Sequence, residues 1–377
     1  MRFTIDPKRF AEAVAWTAKS IPTRPALPVL AGLMLRVSDA RLTLSTFDYE
    51  VSHEVTLDVA GASDGACLVS GRLVNEIAKA LPAKRVEVSS AGQHLELLCG
   101  AGRFTLPAMP AEDYPTLPTT PFPVGAVDAS AFAAAVARVA VAAGRDDALP
   151  LLTGIRLEIA GDRLTMLATD RYRLGLVEIS WATTNPDARI DALVPAKTLH
   201  DTAKTLGPLG GAVALSFTGG RPGEGLLGLT AGPRRTTTRL LDPTNYPPMR
   251  NLLPATALHQ ACFHVATLVD AVKRVALVAE RTAPIVLTLT TDGLRIDAGG
   301  TEQAHASETM DATYAGTDLS IGFNPQYLLD GLSQVGSPHA VLSVIDPHKP
   351  AVIDPADVDG HAIPGYRYML MPIRISR

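Results

Sequence analysis

Cysteine is scarce. The 377-residue chain holds three, Cys67, Cys99 and Cys262. An odd, scattered set with no CxxC pair argues against a disulfide framework and against a zinc site, and it predicts a reducing cytoplasm as the compartment. No run approaches 18 apolar residues, which excludes a membrane-spanning helix. The first residues, MRFTIDPKRF, enter a strand-like pattern with none of the regions of a signal peptide. The formal charge of -4 lacks the basic excess of a nucleic-acid binder, so any cationic surface must be local and balanced elsewhere. Catalytic signatures are missing as well: there is no P-loop, no GxSxG and no HExxH. GEGLLG at Gly223–Gly228 matches GxGxxG but precedes more strand, so it reads as a hairpin tip. Asp146 and Asp147 read as a solvated cap after a helix. The nine histidines show no metal-like spacing, and His53, His200 and His264 read as isolated surface or filler residues. The chain is expected to need no cofactor and no metal. A hydrolase or carbohydrate-active enzyme would require an acid/base or nucleophile set that the sequence does not offer.

What is present is a repeat. Hydrophobic residues make up 47% and charged residues 19%, and the length suits two or three globular domains. RLTLSTFDYEVS from Arg41 to Ser52 returns as RLTMLATDRYRL from Arg163 to Leu174, offset by 122 residues. The same offset relates Leu27-Pro28 to Leu149-Pro150. It also relates the helix-spaced set Phe10, Val14, Ala18, Ile21 to Phe132, Val136, Ala140, Ala143. Asp6 and Asp128 stand where N-caps belong, and Pro7 suits a first turn. A looser third copy places Leu268, Val272, Val275 and Ala276 on a helix, followed by two strands around Thr291-Asp292-Gly293.

Each copy predicts a second helix introduced by a strand: Gly71–Leu81, Ala196–Leu206 and Pro325–Val335. The remainder is short alternating strand material, about eight strands per copy. The prolines of Met109–Pro123 and Leu240–Pro254 punctuate the copies, and their shared Tyr-Pro suggests one job for both linkers. The expected fold is α+β: three repeated domains, each of two helices and antiparallel sheets, with boundaries at 1–123, 124–254 and 255–377.

Basic residues recur on the element that the copies share. Lys8, Arg9 and Lys19 accompany the first helix, Arg138 and Arg145 its second copy, and Lys273, Arg274 and Arg281 its third. Lys79, Lys84, Lys197 and Lys204 sit on or beside the second helices, and Arg24 lies in a loop. Gathered on one face, Arg24, Lys79, Arg138, Lys197, Lys204, Lys273 and Arg274 would bind phosphates without reading bases.

With MRFTI, RPALPVL (Arg24–Leu30), ATDRYRL (Ala168–Leu174), FNPQYLLDGL (Phe323–Leu332) and YMLMPIRI (Tyr368–Ile375) in view, the chain resembles the bacterial β sliding clamp family, in its high-GC actinobacterial form. These are the processivity subunits of the replicative DNA polymerase. The resemblance implies a ring-forming, head-to-tail homodimer around duplex DNA, engaged without sequence preference. It implies a DNA sliding clamp with no active site, whose partners are the polymerase α subunit, the clamp loader and other clamp-motif proteins. It also carries over a partner-peptide pocket. From the second copy and its linker come Leu152, Thr169, Arg171, Tyr172, Arg173, Leu174, Pro247 and Leu252. From the third come Asn324, Tyr327, Met369, Leu370, Met371, Pro372, Ile373 and Arg374. There Leu152, Leu174, Leu370 and Met371 would make an apolar floor, and Tyr172, Arg173 and Arg374 a polar rim, for motifs ending in Leu and Phe. Arg171-Tyr172 replaces a smaller Gly-His pair of some members. Asn251 replaces a basic residue, Thr282 stands near an aromatic position, and Ser376-Arg377 extend the end. Leu149 and Pro150 fall where members have DNA-contacting tyrosines. An alternative role is an additional clamp copy that resists a peptide antibiotic occupying this pocket.

Overall fold

Asp6 shows how locally the chain fixes its helices. Its side chain accepts the Arg9 backbone N–H at 3.0 Å, and Pro7, whose missing donor is harmless there, opens α1 at Pro7–Thr17. The computed structural model describes residues 1–375 apart from 121, 184, 220–222, 255, 281–282 and 300–303. The expectations placed on Arg281, Thr282 and Ser376-Arg377 lie outside the described residues.

Among the described residues six α-helices follow the repeat: α1, α2 (Gly71–Ala80), α3 (Ala129–Ala140), α4 (Ala196–Leu206), α5 (Val265–Val275) and α6 (Pro325–Leu332). Among the described residues each copy has nine strands rather than about eight, because Ala60–Ser63, Ala182–Thr183 and Thr313–Ala315 form short strands that composition does not mark. α1 ends one turn before the apolar spacing does. Ala18 opens a 3-10 turn, and Ile21 lies beyond it, half-buried.

The chain forms two compact units. The first comprises Met1–Ala129 and Thr205–Leu240, the second Ser130–Lys204 and Leu241–Arg377. The middle copy is shared between them because its strands pair with both its neighbours in sequence. In the first unit Arg234–Arg239 pairs antiparallel with Val51–Asp58, with Arg234 opposite Val55 and Thr238 opposite Val51. In the second unit Arg173–Ser180 pairs with Tyr366–Leu370, with Arg173 opposite Leu370 and Val177 opposite Tyr366. Val51–Asp58 and Arg173–Ser180 are the same strand of the repeat, 122 residues apart, so one position in the module makes the seam each time.

In the first unit one core collects Phe3, Phe10, Val14, Leu35, Leu44 and Val74 between α1, α2 and the sheet. The strands after Leu27-Pro28 and Leu149-Pro150 each begin with a buried glycine. A Cβ on Gly32 would meet the Leu68 side chain at 2.6 Å, and one on Gly154 would meet the Leu193 side chain at 2.6 Å. The second unit has a nine-stranded antiparallel sheet running from Arg189–Pro195 to Thr313–Ala315, with Arg173–Ser180 beside Tyr366–Leu370 near its middle. A separate four-stranded sheet ends in Leu319–Phe323 and leads into α6. The two Tyr-Pro linkers are each pinned by their tyrosine. Tyr114 is buried and its hydroxyl accepts the Phe47 N–H at 2.7 Å, while Tyr246 is buried with the Arg156 guanidinium 5.7 Å from its ring.

Candidate functional site

The second copy of the repeated phrase builds the site. After the strand Arg163–Thr169 the chain turns at Asp170, whose Oδ1 accepts the backbone N–H groups of Tyr172 and Arg173 at 3.0 and 3.1 Å. Asp48 makes the same turn in the first copy, accepting from Glu50 and Val51 at 3.0 and 2.7 Å. Asp side chains favour such local turns, which place the next residue in the left-handed region. Accordingly φ is 75° at Tyr49 and 80° at Arg171.

The divergence that matters comes two residues later, at Val51 in one copy and Arg173 in the other. Arg173 is 4% exposed. Its Nε donates to Asp170 Oδ2 at 2.8 Å and its Nη1 to Asp330 Oδ2 on α6 at 2.6 Å. The guanidinium lies 4.2 Å from the centre of the Tyr327 ring, a cation–π contact. Burial opposes its charge, but the Tyr368 phenol, Asp330 and Asp170 more than reverse that, and its pKa is raised. Burial, with Asp170 next, also raises the pKa of Tyr327. Tyr172 stacks on Tyr327 with centroids 6.4 Å apart and is 55% exposed.

These residues rim a cleft of 590 Å³, lined by Ala143 to Asp146 just after α3, by Leu149 and Leu152, by Asp170 to Arg173, and by Gln326, Tyr327 and Asp330. Its size is that of a ligand site, and its lining sets leucines and tyrosines among charged side chains. Of the residues expected in the pocket, Leu152, Arg171, Tyr172, Arg173 and Tyr327 come together here. Others support it. Asn324 caps α6 by accepting the Tyr327 N–H at 3.1 Å, and the Tyr368 hydroxyl donates to the Tyr327 carbonyl at 2.9 Å. Met371 donates its N–H to Tyr172 O, and Ile373 donates to Gly322 O, both at 2.8 Å, so the final strand runs along the turn. Met371, Pro372 and Ile373 are half-buried and Arg374 is exposed.

Several expectations need correcting. Leu174 and Leu370 do not form an open floor. Both are fully buried, as are Thr169 and Met369, and none of them lines the cleft. Leu174 and Met369 pack with Leu167, Met249 and Val352 in a small core. Pro247 lines a second, 190 Å³ cavity with Arg156, Glu158, Leu167 and Tyr246, and Leu252 is exposed on the adjoining 3-10 turn. Sequence reasoning missed Asp170 and Asp330 as the partners of Arg173, and missed Met249. The phrase shared with Asp48 marks the first of these. The second sits one helical turn after Tyr327, a spacing that places both on one face.

The cations fare unevenly. Lys79, Lys204 and Lys273 are exposed on α2, α4 and α5, and Arg24 is exposed in its loop; among the described residues none has an ion pair. Lys197 pairs with Asp201 at 3.0 Å, and Arg274 pairs with Glu308, its Nε at 3.0 Å from Oε2. Arg138 departs from expectation. It is half-buried, its guanidinium lies 5.7 Å from the Tyr366 ring centre and against Gly336, and it acts as a packing residue. Arg145, expected with the helix cations, lines the cleft instead. Asp146 caps its own turn, accepting the Ala148 N–H at 3.0 Å. Gly223 to Gly225 lead into the strand Leu226–Ala231, not into a helix. His53 is filler in the strict sense, buried in a stack on Trp16 at 4.7 Å. No helix among the described residues is long and apolar enough to cross a membrane.

Comparison with known proteins points to one family. Family models described as the N-terminal, central and C-terminal domains of the DNA polymerase III beta subunit match residues 1–118, 126–248 and 250–374. The beta sliding clamp of Streptomyces coelicolor is 48% identical over all of both chains, and the beta sliding clamp homolog GriR of Streptomyces muensis is 39% identical over all of both. The crystal structure of the Pseudomonas aeruginosa sliding clamp bound to griselimycin superposes with a TM-score of 0.92 at 28% identity, covering 100% of each chain. The three tandem modules, the seam strand used twice and this full-length similarity agree: the chain belongs to the DNA polymerase III beta subunit family, the bacterial sliding clamps.

Proposed function

We propose that the chain is a non-catalytic cytoplasmic clamp that closes head to tail with a second copy around duplex DNA and tethers the polymerase α subunit, the clamp loader and other proteins by short peptide motifs. Its domains would divide at 1–123, 124–254 and 255–377. Processivity then comes from topology, since a closed ring cannot dissociate sideways, while screened contacts to phosphates leave it free to slide. Lys79, Lys204, Lys273 and Arg24 are the cations best placed for such contacts, because nothing among the described residues neutralises them.

The observation that carries this reading is the 590 Å³ cleft, where Leu152, Arg171, Tyr172, Arg173 and Tyr327 meet on one compact unit. A peptide ending in Leu and Phe would place its apolar side chains against Leu149, Leu152 and the tyrosines. The test is retention on nicked circular plasmid DNA in the presence of loader and ATP. Retention lost on linearisation is the expected result, with faster sliding loss at high salt for the triple variant Lys79→Ala, Lys204→Ala, Lys273→Ala. Equal retention on linear DNA would sink the reading.

A second reading is an additional clamp copy that works while a peptide antibiotic occupies the pocket of the housekeeping copy. The 39% identity to the GriR clamp homolog is consistent with it, as are Arg171 and Tyr172 in the lining of the cleft. A second clamp gene in the source genome would support it, and a sole copy would end it.

A further inference from the structure

The two seams are built from the same positions of the module, and at those positions the chain has exchanged the partners. Trp16 on α1 and Arg138 on α3 stand 122 residues apart in the repeat. Arg234 and Tyr366 are likewise equivalent, since they lie opposite Val55 and Val177, again 122 apart. At the first seam the helix carries the ring and the strand the cation, with the Arg234 guanidinium 5.3 Å from the Trp16 ring centre. At the second the helix carries the cation and the strand the ring, at 5.7 Å. Both are cation–π pairs, written in opposite directions.

The neighbouring position is exchanged in size. In the first unit His53 stacks on Trp16 and lies opposite Thr236. In the second the equivalent of His53 is Gly175, against which the α3 backbone packs so closely that a Cβ would meet the Val139 Cα at 3.2 Å. Gly175 lies opposite Tyr368, which is wholly buried and packs on Gly331. A large side chain therefore meets a small one at each seam, from opposite sides.

We infer that these exchanged pairs are an identity code that tells each final strand which seam to close, and that they bar the middle copy from closing on itself. Copies of one module in a single chain invite a strand to pair with the wrong equivalent. If Arg173–Ser180 took the middle copy's own Arg234–Arg239 in this register, Arg138 would face Arg234, and nothing would fill the space of Tyr368. If Val51–Asp58 took Tyr366–Leu370, His53 and Tyr368 would compete for one space. Like charges, a void and a clash all penalise the wrong partner, whereas the right one meets none of them.

The test refolds the full chain from urea and traps strand pairing with disulfides. Leu176→Cys with Arg235→Cys reports the wrong pairing, because Leu176 natively lies opposite Arg367 and Arg235 opposite Glu54. Mass spectrometry counts the bond between positions 176 and 235 apart from any bond to the chain's own three cysteines. With the parent code that bond should be a trace. Adding Arg234→Tyr and Thr236→Tyr gives the strand the face of Tyr366–Leu370, and the bond should rise about tenfold. Adding Trp16→Arg and His53→Gly as well rewrites the first seam in the code of the second. That chain should melt closer to the parent yet keep the wrong bond well above the trace, because both seams then read alike. No rise in either chain would show that connectivity, not these side chains, selects the partners. An equal rise with Trp16→Ala alone, or loss of the bond on full recoding, would report only a weakened seam and overturn the inference. Failure of the fully recoded chain to fold would overturn it too, since matched sets should be interchangeable.

Discussion

Arg173→Met is the substitution that most directly tests how the cleft is held. The Arg173 side chain is 5% exposed, and its partners Asp170 and Asp330 are 14% and 20% exposed. Methionine keeps much of the apolar stem under the Tyr327 ring but strands two shielded carboxylates. Removing one partner of a buried ion pair costs about 3–5 kcal/mol, chiefly because the remaining charge loses its compensation. At about 2–4 °C per kcal/mol for a unit of this size, the melting midpoint should fall by roughly 10 °C. The sequence supplies a clean reporter, since Trp181 belongs to the second unit and Trp16 to the first. In a Trp16→Phe background, thermal unfolding followed by fluorescence reads Trp181, which is buried and donates to Gly161 O at 3.0 Å. The double variant Arg173→Met, Asp330→Leu should recover part of the loss, because an apolar pair of similar volume replaces a buried ion pair at little cost. A midpoint within about 2 °C of the parent, or a double variant less stable than the single, would refute the argument.

Burial lowers the His53 pKa from 6.5 to about 4, so the imidazole is neutral in the folded first unit. The unfolded chain takes up this proton near pH 6.5 and the folded chain only near 4, so the contribution is full above 6.5 and about 3 kcal/mol is lost as pH falls to 4. His53→Phe, which can still stack on Trp16, should flatten that part of the stability–pH curve; an unchanged slope would show that His53 is not its source. Leu174→Ala should cost about 2–5 kcal/mol, because its side chain is wholly inside the core with Leu167, Met249 and Met369. Met371→Asp, half-buried beside Tyr172, should abolish Leu-Phe peptide binding while leaving the protein folded, and wild-type affinity in that variant would remove Met371 from the pocket.

Much of this architecture was legible because the copies are gapless where they matter. The 122-residue offset carries strand for strand from Gly32–Ser38 and Gly154–Ala160 through Val51–Asp58 and Arg173–Ser180. Helix starts were legible where capping chemistry is local, as at Asp6 and Asn324. Burial was not. Leu174 and Leu370 look like pocket residues in a motif, but strand pairing turns them into the core, and only the register with Tyr366–Leu370 reveals it. Arg138 looks like its neighbouring helix cations until the fold brings Tyr366 and Gly336 to it. Asp330 lies 157 residues from Arg173, beyond the reach of any local pattern.

The two seams show what the second copy added. Both use the same turn, and each receives one backbone N–H from the strand that crosses it: Arg239 to Glu50 O at 3.0 Å, Met371 to Tyr172 O at 2.8 Å. At the first seam the next residue is Val51, and the turn aspartate accepts the backbone N–H groups of Glu50 and Val51. At the second it is Arg173, which draws on the other oxygen of Asp170 and reaches α6 through Asp330. Stability does not explain this exchange, since an apolar residue closes the first seam and buried ion pairs are often no better than apolar replacements. Position does. Two fixed carboxylates hold the guanidinium under Tyr327, and thereby fix that ring and the Tyr172 turn stacked on it at the rim of the cleft. A groove whose rim is already ordered loses less entropy when a flexible tail docks. The buried arginine is best understood as the strut that keeps the cleft open.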